Sequence, residues 1–214
     1  MPGCPTDAVF AYLSVSTRYA FTITPFPMAI FSRISLITEL LDRTELLKAN
    51  TQVFFRLTDE QLHYRSAPGK WSIAEIYKHL NLSMDASVRA ILSRITKAPD
   101  SPGDAYTSSW LGDWAYFVIM PRPDGSVFRL KAGKAQRPGP EKLDAREELG
   151  AFQRHCDALD DILRHVAGKD LRRIKIPFFV PRLVRLRLGD VLRFLVAHGE
   201  RHLLQAQRVM SITS

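Results

Sequence analysis

His198 and His202, in the C-terminal stretch LGDVLRFLVAHGERHLLQAQRVM, are the residues whose type and spacing best suit chemistry. On an α-helix, positions i and i+4 lie about 40° apart around the axis and roughly one turn apart along it, so both imidazoles can reach one ion. The pair also falls on the stripe that ought to be buried. From Leu188 the three-and-four spacing runs through Val191, Leu195, His198, His202, Gln205 and Val209, while Asp190, Arg193, Glu200, Arg201, Gln207 and Arg208 fall on the opposite face. A seam that turns polar for three successive steps must satisfy its imidazoles and amide. A metal ion is the simplest way to do so.

Two histidines on one helix rarely make a tight site, whereas three protein ligands and an open position are a common catalytic arrangement. His79 is the best third ligand. It lies on the line Ile76, His79, Ser83, Ala86, Ala90, which is small and partly polar beside the bulky line Leu80, Met84, Val88, Ile91, Ile95. The alternative is that His79 is an interfacial group with a hydrogen bond and no metal. Gln205 could orient a ligand from behind, or be an amide at the edge of the core. Glu200 invites comparison with the metalloprotease motif H-E-x-x-H, but Gly199 occupies the position that motif requires, and Glu200 is expected to be solvated. Glu75 is better explained by a capping box with Ser72 than by acid–base work. His155 is expected at the edge of its helix's seam, and His63 and His165 at the surface. Cys156 reads as a small buried hydrophobe. Trp71 is expected to anchor the start of the second helix, and Trp110 and Trp114 to pack in the core or line a pocket mouth.

Four long helical patterns must position these groups. The first covers about 32–56, with Ile34, Ile37, Leu41, Leu47 and Phe54 as its apolar face. The second opens at Ser72 and ends near Pro99. The third spans about 141–166, opening after Pro140 with the seam Leu149, Phe152, Cys156, Leu159 and Leu163, and the fourth spans 188–211. Residues 99–140 hold six of the thirteen prolines and five of the eleven glycines, so they read as a long crossover containing a short apolar segment, Trp110 to Met120. No β-alternation stands out. The pattern predicts an all-α, four-helix bundle. Residues 1–27 lack the layout of a signal peptide and are expected to be an irregular extension ahead of one domain, 28–214.

Two cysteines outside any C-x-x-C spacing argue against a disulfide framework and make the cytoplasm the default compartment. No apolar run is long enough for a membrane span. The net charge of +8 is concentrated in Arg122–Arg137 and Lys169–Arg187. Neither stretch carries the aromatic interleaving or motif of a nucleic-acid module, so a solvated surface or an anion-attracting rim is the stronger reading.

The blocks GKWSIAEIYKHL (69–80) and LGDVLRFLVAHGERHLLQAQRV (188–209) resemble the DinB-like (DinB/YfiT-like) superfamily, whose members share W-S-x-x-E-x-x-x-H-L on the second helix and H-x-x-x-H-x-x-Q on the last. The resemblance spans roughly 30–212 and is specific only at those two blocks. It implies an up-down-down-up bundle and a divalent metal, zinc or nickel, held by His79, His198 and His202. It also implies thiol-dependent chemistry, such as S-transfer from a low-molecular-weight thiol like bacillithiol or mycothiol-dependent maleylpyruvate isomerisation. The expectation is therefore a thiol S-transferase acting on a small anionic or electrophilic substrate. A metal-dependent hydrolase and a catalytically silent metal-binding or stress-related interaction protein are the alternatives. A homodimer is among the states left open. The family's Thr or Ser before Leu-Gly is replaced by Arg187, so the cap of the last helix is expected to be weak or to fall to Asp190.

Overall fold

The computed structural model describes residues 28–178 and 184–213; the expected extension, residues 1–27, lies outside them. The helices are α1 (Arg33–Thr51), α2 (Asp59–His63), α3 (Ile73–Ile95), α4 (Trp110–Ile119), α5 (Ala145–Val166) and α6 (Leu188–Thr213). Of the four long ones, α1 and α3 each pack against both α5 and α6, so the order around the bundle is α1–α5–α3–α6. The short strands β1 (Ile30–Ser32) and β2 (Ala105–Thr107) pair antiparallel with Phe31 opposite Tyr106. Strands β3 (Lys175–Pro177) and β4 (Arg185–Arg187) do the same with Ile176 opposite Leu186. A strictly all-α description omits these two ribbons. Three-residue strands are too short to leave an alternating pattern in the sequence.

Local chemistry explains most helix starts. Ser72 Oγ accepts from Glu75 N at 3.3 Å while Glu75 Oε2 accepts from Ser72 N at 2.9 Å, which closes the expected capping box of α3. Helix α5 begins after Asp144, not after Pro140. The Asp144 carboxylate accepts from the backbone N–H groups of Arg146 and Glu147, each at 3.0 Å, and fixes the start there. Helix α6 follows β4 directly, and its first N–H, of Leu188, donates to Ile174 O at 2.9 Å. Asp190 does not cap it.

The seam of α5 is buried as expected, from Leu149 through Leu163. The seam of α1 is rotated from the expected one. Ile34 is exposed, and the buried line is Leu36, Ile37, Leu40, Thr44, Leu47, Thr51. The threonines can lie inside because each Oγ donates to the carbonyl four residues back, at 2.7 Å and 2.8 Å. On α3 the bulky line stays buried to Ile95, whereas the small line leaves the interior after Ser83, with Ala86 exposed.

The largest departure concerns the outer face of α6. Asp190, Arg193, Glu200 and Arg201, expected in solvent, are all buried. The Trp110–Met120 segment is the cause. It forms α4, a ten-residue helix that lies along α6. Close approach is possible because a Cβ at Gly112 would strike the Asp190 side chain and one at Gly189 the Tyr106 ring. Trp110 and Trp114 face outward, 64% and 47% exposed, not into the core.

Three of these four charges, Asp190, Arg193 and Glu200, have polar or charged side-chain partners. Asp190 accepts from Tyr106 Oη at 2.6 Å and from Ser109 Oγ at 2.6 Å. Asp113 accepts from Arg193 Nη1 at 2.7 Å and from Ser108 Oγ, and Arg193 lies over the Tyr116 ring, 4.4 Å from its centroid. Glu200 receives both arms of Arg43, Nε and Nη2, at 2.7 Å each, while Arg43 Nη1 reaches Glu39 at 2.9 Å and Tyr116 Oη at 3.2 Å. Glu200 thus ties α1 to α6. Arg43→Leu or Glu200→Leu alone should cost about 3 kcal/mol by stranding a buried charge, and the double variant should cost less than the sum. Additive losses in urea denaturation would contradict the pairing.

Candidate metal centre

Where α3 crosses α6, three imidazoles converge. His79, His198 and His202 are 5%, 6% and 7% exposed, and one ring nitrogen of each lies within 4.8 Å of the others. Ring centroids are 5.1 Å apart for His79 and His198, 4.6 Å for His79 and His202, and 4.7 Å for His198 and His202. No aspartate, glutamate or cysteine joins the cluster among the described residues.

Two rings are held from outside. His79 Nδ1 donates to Gln136 O at 2.6 Å, and His202 Nδ1 donates to Gln205 Oε1 at 2.9 Å. A neutral ring that spends its proton on Nδ1 presents a bare Nε2 lone pair on the other side. The rings are kept neutral chiefly by burial. It lowers the proton affinity of His79, carries that of His198 well below the usual value, and takes the pKa of His202 down to about 3. The neighbouring imidazoles and the positive charge of Arg201 act in the same direction.

His198 exposes a conflict. Its Nε2 faces His79 Nε2 at 3.2 Å, and its Nδ1 is buried with no partner. A proton on Nδ1 leaves that N–H unmatched and sets two lone pairs against each other. A proton on Nε2 leaves Nδ1 as a buried orphan. No tautomer satisfies the ring. A cation among the inward nitrogens removes the lone-pair clash, and 3.2 Å is close to the nitrogen spacing of about 3.3 Å that tetrahedral bonds of about 2.0–2.1 Å require. The donor set therefore fits a divalent ion.

Aromatic rings enclose the cluster. Trp71, just ahead of the α3 cap, lies 5.0 Å from the His79 ring and 6.5 Å from that of His202, and Phe194 stacks on His198 at 5.7 Å. The remaining sequence candidates lie elsewhere. His155 is 3.5 Å from Asp85, His63 and His165 are exposed, and Cys156 is fully buried with its thiol pushed up to about 12 by burial. Glu75 is shared between its cap and Arg65, at 2.6 Å and 2.8 Å.

The comparisons with known proteins agree with this geometry. The family model described as the DinB superfamily matches residues 43–206, which include all three histidines. The chain belongs to the DinB superfamily. Its structure is similar to that of YfiT from Bacillus subtilis, described as a probable metal-dependent hydrolase with an unusual four-helix bundle topology. The TM-score is 0.54 at 16% sequence identity, covering 83% of this chain and 87% of that one. At that identity the likeness establishes a shared bundle fold and nothing finer. No curated protein matches the sequence. No described helix of this DinB chain is long and apolar enough to cross a membrane.

Three contributors escaped sequence reasoning. The Gln136 carbonyl has no side-chain signature. Phe194 and Arg201 sit on the flank of α6 that amphipathic spacing assigns outside the seam. Near neutral pH, long-range proton–nitrogen NMR of metal-free DinB protein should show His79 and His202 protonated at Nδ1 and bare at Nε2. Protonation at Nε2 in either ring would contradict the outer hydrogen bonds.

Proposed function

We propose that this chain is a metal-dependent enzyme acting on a small molecule, with His79, His198 and His202 as ligands of a divalent ion, zinc or nickel, and thiol S-transfer as its reaction. The observation that carries the reading is the convergence of three buried imidazoles for which no arrangement of protons satisfies every ring nitrogen. The superfamily's up-down-down-up helix order belongs to the same reading.

When bound, such an ion supplies Lewis acidity that lowers the pKa of a thiol or water brought against it. The chain's own residues do the rest. Gln136 O and Gln205 lock the rings of His79 and His202 in the tautomer that points a lone pair inward. Trp71 and Phe194 exclude bulk water from one side of the cluster.

The choice of thiol over water rests on what is missing around the rings. Among the described residues no carboxylate stands free at the cluster to take a proton. Glu200 is held by Arg43, Glu75 by Ser72 and Arg65, and Glu148 by Lys78 and Asn81. A thiol, with a pKa of about 8.5, ionises with far less assistance than water at about 15.7. Hydrolysis is the second reading, favoured by the description of YfiT.

His202→Ala should remove most bound zinc or nickel, measured by elemental analysis, while far-UV circular dichroism stays helical. The metal-loaded wild type should consume an electrophile such as monochlorobimane only when a low-molecular-weight thiol is added. Turnover of a p-nitrophenyl ester without thiol would establish the hydrolase instead. Inactivity with every thiol and ester at full metal occupancy would leave a silent metal-binding protein.

A further inference from the structure

Arg201 is 9% exposed and, unlike the other buried charges of α6, has no opposite charge beside it among the described residues. Arg193, the other buried arginine there, has Asp113 at 2.7 Å and Asp190 at 3.9 Å. Arg201 has one neutral contact: Nη2 donates to the Phe128 carbonyl. Its Nη1 is buried with no acceptor at all. An unpaired buried guanidinium costs far more than one carbonyl contact returns, so the fold gains little by placing it there.

Its position suggests what completes it. Three residues beyond His198, it lies about 60° round the helix from that ring and directly precedes His202. Its acceptor, Phe128, belongs to the same crossover as Gln136, which holds His79, so the crossover spans from one group to the other. The groups placed near it in sequence, His198 and His202, bring no negative charge, and Glu200 is already taken by Arg43, so an anion is the complement that the buried guanidinium lacks.

We propose that Arg201 anchors an oxyanion of the substrate, a carboxylate or phosphate, beside the three-histidine cluster. This rests on the reading of that cluster as a metal site. With Nη2 held by Phe128, the guanidinium plane is set before the ligand arrives, and the two N–H groups of Nη1 are left for an incoming acceptor. A rigid donor of this kind fixes which end of the substrate is turned towards the rings.

Trp71, 5.0 Å from His79, serves as the reporter once the exposed Trp110 and Trp114 are replaced by Phe. Zinc-loaded and metal-free protein are titrated with succinate, inorganic phosphate and uncharged succinamide at constant ionic strength. In the zinc-loaded protein, succinate or phosphate should change the fluorescence saturably and succinamide should not, and the tighter anion names the source. Arg201→Gln should weaken that anion by about tenfold or more, with zinc content and helicity unchanged. Equal binding by wild type and R201Q, or no response to either anion, overturns the assignment. If no sample holds zinc, the metal reading falls, and the metal-free titrations decide Arg201 by the same comparison. One measurement needs no variant: the anion should shift the Arg201 guanidinium NMR signal, and an unmoved signal at saturation also overturns the proposal.

Discussion

A helix enclosed on nearly every side must find a partner for each polar group it carries, and α6 carries Asp190, Arg193, His198, Glu200, Arg201 and His202 within its buried length. That requirement organises the molecule. The first ribbon supplies Tyr106 to Asp190, and α4 supplies Asp113 to Arg193. Helix α1 supplies Arg43 to Glu200, and α3 brings His79 to the histidine pair. Each neighbour packs apolar surface against α6 and also satisfies a specific charge or ring. The polar contacts fix register where hydrophobic packing alone would allow sliding.

This division places the two kinds of polar group at different ends of α6. Towards the N-terminus, acids and arginines are matched one against another and the interior is electrostatically closed. Towards the middle, from His198 to His202, only Glu200 keeps a charged partner. Three imidazoles compete for the same space, and a guanidinium has only a neutral carbonyl. With the other buried charges among the described residues paired, such a break is where function is expected, because it costs stability that packing elsewhere must offset.

Much of the site was legible in the sequence, and the reason is local. The Ser72–Glu75 pair fixes where α3 begins, so the face bearing His79 follows from counting. Three polar steps in the seam of α6 mark the interruption without any tertiary information. The parts that could not be read depend on residues far apart in sequence. Burial of Glu200 and Arg201 needs α4 and the crossover, whose segments lie about seventy to ninety residues earlier. The rotated seam of α1 needs threonines that satisfy themselves against their own helix, so a polar residue type marks a buried position there. The orientation of His79 needs a main-chain oxygen, which every residue possesses and none advertises.

That last dependence has an evolutionary consequence. Because His79 is steered by the Gln136 carbonyl, the residue at 136 can vary in type without disturbing the ring, provided the loop keeps its path. Its length and conformation are not free in the same way. A crossover whose path is reshaped also moves the acceptor that directs one of the three imidazoles. Among relatives, drift in side chains along this loop should be cheap, while insertions should change how the His79 ring is held.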